Sequence, residues 1–247
     1  MPTGSAGADL AGWMILAIRL ILPSLYELRL GVVNAFLMED EKELILIDTG
    51  YRGHAGRILR AAEQVGGTGK KLRHIVVTHC HPDHSGSLAA IKRQTGALAY
   101  MHAADAAKVR AGETRRSWKA TPGLLNWLVF QAFIRHAPRH IEPAEVEVEV
   151  NDGDRLPWAG GVQAIQVPGH CAGQIALLWQ RHGGVLFVGD AVSNLPNLRP
   201  SFVHENLEEG LASLRKLAAL RFEHACFGHG RPILGRADER FAQRFAR

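Results

Sequence analysis

The sequence predicts an α/β chain folded as a four-layer αββα sandwich, and three observations carry that expectation. Short apolar runs alternate with amphipathic stretches along the chain, the rhythm of strands and helices. Residues able to ligate a metal come just after such runs, so strands deliver them at their ends. The second half, from Val146, repeats the plan of the first. Two sheets with helices outside then leave a cleft at one rim of the sandwich for the ligating residues.

The elements follow in order. The opening MPTGSAGAD is small and polar and is read as a loose end. Trp13 to Leu22 contains Arg19, lacks a basic start and runs into Pro23, so it reads as a buried strand and not as a signal segment or a membrane span. From Tyr26 to Asp48, apolar runs broken by turn signals such as Glu39-Asp40-Glu41-Lys42 predict an antiparallel meander. Ile58, Ala62 and Val65 share one face of a helix that stops at Gly66-Gly67. Leu72 to Thr78 is the next strand, and Ser85 to Gln94 is a helix with Gly96 as its stop. Residues 97–101, ALAYM, form another strand.

The stretch from about 102 to 145 breaks the rhythm. It reads as a helical insertion with its helix over Leu124 to Ile134, and its content is Trp118, Trp127, Phe130 and Phe133 among Arg115, Arg116, Arg135 and Arg139. Insertions of this kind serve as lids or as packing over a sheet edge. A lid of these aromatics predicts a partly apolar substrate and a higher KM when the Trp127 side chain is removed. After it, Val146 to Val150 alternates with period two, and Gly161 to Val167 leads to His170. A hairpin of Gln174 to Gln180 with Val185 to Val188 leads to Asp190. Asn206 and Glu209 suggest a capping box for a helix whose Leu207, Leu211, Leu214 and Ala218 share a face. Phe222 to Phe227 leads to His229, and a short basic helix closes the chain.

The chemistry concentrates in His79-Cys80-His81-Pro82-Asp83-His84. Three imidazoles and a carboxylate within six residues are ligands before they are core fillers, and a borderline metal is the counter-charge that holds them together. Pro82 stiffens the turn and lowers the entropy lost on ordering it. A solvated or chance histidine cluster is the competing reading. It is outweighed by His170 in VPGH, Asp190 in VLFVGD and His229 in CFGHG, each in the same setting. Five histidines and two aspartates exceed the needs of one four-coordinate zinc, so two metals are expected. Two cations sharing a water bring its pKa towards neutrality and make a hydroxide nucleophile available.

These residues resemble the HxHxDH signature of the metallo-β-lactamase-fold hydrolase superfamily, met by His79, His81, Asp83 and His84. The resemblance extends to His170, Asp190, His229 and the early Asp48 in LILIDTG, and runs from about Gly31 to Ile233. It implies a metallo-β-lactamase type of sandwich. It also implies a first metal on His79, His81 and His170, a second on Asp83, His84 and His229, and Asp190 bridging. Asp48 would bond the backbone of the metal loop from behind. Two Zn2+ are the expected cofactors, with iron or manganese as alternatives. A metal-bridging hydroxide would attack an ester, lactone or thioester carbonyl, with Asp83 orienting it and carrying its proton to the leaving group.

Within the family, glyoxalase II-like thioesterases carry a C-terminal helical extension, whereas only 18 residues follow His229. The tyrosine some lactonases place after the bridging Asp is absent from Asp190-Ala191-Val192-Ser193-Asn194. A mononuclear iron, sulfur dioxygenase-like oxidoreductase and a phosphodiesterase or nuclease acting on nucleic acid are the alternative functions.

Composition sets the frame. A chain of 247 residues that is 47% apolar can bury a full core, and it is expected as a single domain over 1–247. The net charge of +5 and pI near 9.4 attract anions, yet the basic residues are dispersed and not interleaved with aromatics. Nucleic acid is therefore disfavoured as a partner, and a small-molecule substrate with no membrane is expected. Cys80, Cys171 and Cys226, an odd and irregular set, argue against a disulfide framework and for small buried residues in a reducing, cytoplasmic setting. Asn194, Asn197 and Arg199 follow Asp190 closely enough to line the cleft. His54, His74, His102, His136, His140, His182, His204 and His224 lie outside the signature and are expected to be exposed or satisfied locally.

Overall fold

The computed structural model describes residues 18–114 and 117–246. The expected strand at Trp13 to Leu22 therefore appears as Ile18–Leu22, and its first half, the polar start, Arg115 and Arg116 lie outside the described residues.

Two sheets face each other. The first has seven strands in the order Ile18–Leu22, Leu25–Arg29, Asn34–Glu39, Glu43–Ile47, Lys71–Val76, Leu98–Met101 and Val148–Glu149. The first four are antiparallel neighbours joined by tight turns, as the meander predicts. From Glu43–Ile47 onward the pairing is parallel, because the chain returns through helices, the first of them Ala55–Gly66. The second sheet has six strands in the order Ile233–Leu234, His224–Cys226, Val185–Phe187, Ile175–Trp179, Val162–Gln166 and Arg155–Leu156.

Strand periodicity sorts the side chains into three apolar layers. In Glu43–Ile47, Leu44 and Leu46 point to the helices while Ile45 and Ile47 point to the opposite sheet, since successive residues face opposite ways. Asn34–Glu39 does the same with Ala35 and Leu37 against Phe36 and Met38. The inner layer joins Phe36, Ile45 and Val76 to Ala164, Leu177, Trp179 and Phe187. On one outside, Ile58, Leu88, Ile91 and Val109 cover the first sheet. On the other, Leu214, Leu217, Phe241 and Phe245 cover the second. Each large side chain so buried contributes about 1.5–3 kcal/mol. Three layers of apolar contact between four layers of secondary structure make the αββα sandwich.

Three local expectations change. His102 caps a helix, Ala103–Ala111, by accepting from Ala104 N, and Ala106 and Val109 join the outer helical layer. The irregular stretch thus starts after Gly112. Of Val146 to Val150 only Val148–Glu149 pairs as a strand. The Leu207–Ala218 helix buries Gly210, Ser213, Leu214, Leu217 and Ala218, whereas Leu211 is 38% exposed. Its face is rotated because a Cβ on Gly169 would lie 2.2 Å from Gly210 Cα, so the two backbones touch and that turn must point inward. Ser213 Oγ donates to Pro168 O at 2.7 Å across the same contact. No helix among the described residues is long and apolar enough to cross a membrane.

Candidate metal centre

Four strand ends and one turn build the site. After Lys71–Val76 the chain turns into a one-turn helix, Pro82–Ser85, with His81 at its N-cap, Pro82 at its first position and Asp83 in its first turn. That turn is anchored from behind: Cys80 N donates to Asp105 Oδ2 at 2.8 Å, and Ser85 Oγ donates to the carbonyls of Cys80 and His81. His170 follows Val162–Gln166, Asp190 follows Val185–Phe187, and His229 follows His224–Cys226. All seven residues arrive at one rim, where the structure brings them into two adjoining groups.

His79, His81 and His170 form one group, and Asp83, His84, Asp190 and His229 the other; within each, the candidate ligand atoms lie within 4.8 Å of one another. His170 Nε2 is 2.8 Å from His81 Nδ1. Asp190 stands between the groups, with Oδ1 3.3 Å from His84 Nε2, and Oδ2 3.1 Å from His229 Nε2 and 3.8 Å from His170 Nε2. Asp83 Oδ2 lies 3.2 Å from His229 Nε2 and 3.6 Å from His84 Nε2.

The outer hydrogen bonds set which ring nitrogen faces inward. His229 Nδ1 donates to Val32 O at 2.8 Å and His170 Nδ1 to Val203 O at 2.9 Å, so each Nε2 is the nitrogen turned to the centre. His84 Nδ1 lies 2.8 Å from Asp48 Oδ2. Asp48 also accepts from Thr78 N at 2.8 Å and Thr78 Oγ1 at 3.0 Å, and Thr78 Oγ1 in turn sits 3.0 Å from His79 Nδ1. One carboxylate thereby orients two imidazoles and a backbone amide. His81 is reversed, with Nδ1 inward and Nε2 accepting from Trp118 Nε1 at 3.1 Å.

Three inward atoms, His79 Nε2, His84 Nε2 and Asp190 Oδ1, are buried without a hydrogen-bond partner. Buried polar atoms are rarely left so, and these three, divided between the two adjoining groups, fit cations held at this rim. The donor set, imidazole nitrogen with carboxylate oxygen, suits zinc, iron or manganese. Clearance is also built in: a Cβ at Gly228 would lie 2.3 Å from Asp190 Oδ1 and 2.6 Å from His84 Cε1.

The electrostatics of the two groups differ. Burial holds His79, His81 and His170 below the usual histidine range, with charge on neighbouring imidazoles adding to it. Burial also opposes charge on His84 and His229, but the carboxylates outweigh it. His84 is raised well above its ordinary value by Asp190, Asp83 and Asp48, and His229 is raised to about 10 by Asp190 and Asp83. Against the same burial, His84 and His229 pull Asp83 down to about 2.

A cavity of about 540 Å³ opens above this floor. Tyr51, Val32, Ser193, Ser201 and Phe202 line it together with Trp118, Val129, Phe133 and Ile134 of the insertion. Tyr51 is missed by sequence reasoning, because only a long-range fold brings it to the rim, whereas Trp118 is one of the insertion aromatics expected of a lid. Burial, then the charges of Asp83 and Asp190, push the Tyr51 phenol up to about 12. Trp127 is 51% exposed and does not line the cavity, so the expected effect of its removal on KM moves to Val129, Phe133 and Ile134. Asn194, Asn197 and Arg199 do not line it either. Asn194 Nδ2 donates to Arg231 O, and the Arg199 guanidinium bonds Asn126 Oδ1 and lies over the Phe202 ring; Ser193 and Leu195 take the wall instead. Cys80, Cys171 and Cys226 are buried, and neither they nor the remaining histidines join the two groups among the described residues.

A family model described as Metallo-beta-lactamase superfamily matches residues 28–229. The chain is 31% identical over 223 residues to a Bacillus subtilis protein named Uncharacterized protein YobT, covering 85% of this chain and 88% of that protein. It is 28% identical to another B. subtilis protein, Probable metallo-hydrolase YflN, over 85% of this chain and 84% of the relative. A metallo-beta-lactamase of Cronobacter sakazakii superposes with a TM-score of 0.68 at 21% identity, covering 86% of this chain and 80% of that one, which shows a shared fold.

Proposed function

Because this chain belongs to the metallo-beta-lactamase superfamily, we propose that it is a two-zinc hydrolase of ester, lactone or thioester bonds in small, partly apolar substrates. That it is a metal-dependent hydrolase follows from the family; the number of metals, their identity and the bond are the proposal. The observation that supports it is Asp190, whose Oδ1 lies by His84 and whose Oδ2 lies by His229 of one group and 3.8 Å from His170 of the other, so that it touches both groups. A carboxylate so placed serves two cations, and one cation would leave the Asp83, His84 and His229 group without a purpose. A mononuclear iron centre fits this arrangement less well for that reason.

His79, His81 and His170 would hold one metal, Asp83, His84 and His229 the other, and Asp190 both. A divalent pair in this position supplies acidified water near neutral pH and positive charge beside the carbonyl oxygen of the substrate. Asp83 faces the cleft with a carboxyl held ionised near neutral pH, so it can hold the attacking water in line, accept its proton and deliver that proton to the departing oxygen or sulfur. The Tyr51 phenol stays protonated at neutral pH and can donate to the oxygen on which charge develops. Val129, Phe133, Ile134 and Trp118 exclude water and take the apolar part of the acyl group.

The test is the metal content of the purified protein followed by an ester, lactone and thioester panel. About two zinc per chain with turnover of neutral acyl substrates is the expected result. A single tightly held iron with little zinc would overturn the assignment.

A further inference from the structure

The stretch from Thr114 to Ile141 contains no aspartate or glutamate, yet it carries Arg115, Arg116, Lys119, Arg135 and Arg139 with His136 and His140. Inside it the Leu124–Ala132 helix reverses the usual arrangement of a surface helix. Its inward residue is the amide Asn126, which bonds Pro122 O, while Leu124, Leu125, Trp127 and Leu128 point outward, 74%, 58%, 51% and 48% exposed. Phe133 follows at 73%. Five of the eleven exposed large apolar side chains among the described residues thus sit on this one segment, a concentration that marks an interaction surface.

Beside the apolar face lies a hollow of about 340 Å³, lined by Arg135, His136 and Arg139 together with Thr114, Phe130 and Trp118. We propose that this apolar face and its basic border dock on the surface of an anionic lipid bilayer. A helix of nine residues spans about 14 Å, far short of the hydrocarbon thickness, so it lies in the interface and does not cross it. Leucines, tryptophan and phenylalanine enter the headgroup boundary, and the arginines meet lipid phosphates, the hollow being of a size to take one headgroup. Charge selects this occupant over a second copy of the chain. Two copies meeting through this stretch, which carries no aspartate or glutamate, would set like charges against each other, whereas an anionic leaflet neutralises them. The surface adjoins the mouth of the cleft, because Phe133 of the apolar face lines the cleft and Trp118 and His136 line both the hollow and the cleft. The docking concerns where the protein works and does not depend on which bond it cleaves.

Co-sedimentation of the full chain with vesicles tests this. One set is phosphatidylcholine alone, the other contains roughly a quarter phosphatidylglycerol. Binding at least about tenfold stronger to the anionic set, and weakened by salt, is expected. The double variant Leu125→Ser, Trp127→Ser, at positions that do not line the cleft, should bind about tenfold more weakly or worse, with unchanged turnover of a soluble ester. Arg135→Gln with Arg139→Gln, both exposed, should erase the preference for anionic vesicles and serves if the apolar pair does not fold. Absence of vesicle binding, or variants that bind as the unaltered chain does, would overturn the proposal. So would a dimer that the apolar variant converts to monomer in the absence of vesicle binding, since a second copy would then own the face.

Discussion

The two halves of the candidate metal centre share a rim and solve opposite electrostatic problems. His79, His81 and His170 are prepared by burial, which keeps the imidazoles neutral with lone pairs in place. Asp83, His84, Asp190 and His229 are prepared by carboxylates, which in the absence of a cation hold protons on His84 and His229. A proton is therefore the natural rival of a metal in the second half and a poor one in the first. What differs is less the kind of ligand than what stands in for the cation before it arrives.

Removing the carboxylate common to both halves should have the largest effect. Asp190→Ala is expected to lose metal and activity together, measured by plasma mass spectrometry and turnover of the same preparation. A fully loaded, active variant would break the two-halves description. Next, Asp83→Asn should lower kcat by about 10²–10⁴-fold while the His79, His81, His170 half keeps its metal. Loss of metal from both halves would show that Asp83 holds the site together and does not act mainly on protons.

Acid should separate the halves without mutation. Because the raised histidines bind protons more tightly, lowering the pH should strip the Asp83, His84, His229 half first. Metal per chain after dialysis across a pH series should step from two towards one before reaching zero; simultaneous loss would contradict the contrast.

The dry half extends to His204, which burial, then the charge of His170, lower to about 4 from an ordinary 6.5. A depressed histidine binds protons more readily unfolded than folded, so its stability contribution is present above about pH 6.5 and is lost as pH falls towards 4. The loss is on the order of 3 kcal/mol, and His204→Gln should flatten that part of the Tm against pH curve. The smallest expected signal belongs to Trp118. Its indole N–H needs a lone pair on His81 Nε2, whereas a cation on Nδ1 leaves Nε2 protonated. Metal titration should therefore change tryptophan fluorescence in the unaltered chain and less so in Trp118→Phe.

Much of this architecture is legible in the chain itself. The period-two alternation in Glu43–Ile47 assigns alternate side chains to two layers before any coordinates are known, and Gly96 ends its helix in the left-handed conformation its position suggests. The candidate ligands are legible because four of them crowd into six residues and the others each end a strand. Tyr51 and Ser201 are not, since their place depends on how distant segments meet. The Leu207–Ala218 helix shows the same limit: its leucine pattern suggests one face, and a contact between Gly169 and Gly210, 41 positions away in the chain, selects another. Arg199 is close to Asp190 in sequence and turns to Asn126 instead. Proximity along the chain predicts backbone position better than side-chain direction.

Gly228 adopts a backbone conformation open to any residue, and its neighbours alone forbid a side chain. The candidate metal centre is consequently dimensioned by an empty space as much as by the side chains proposed as its ligands. In a saturation library selected for turnover, this position should tolerate as little change as a ligand does, although it contributes no atom to the chemistry. Where the ligands specify what is held, the missing methyl group specifies how closely His84 and Asp190 can approach, and that spacing is heritable information carried by a residue with nothing to offer but room.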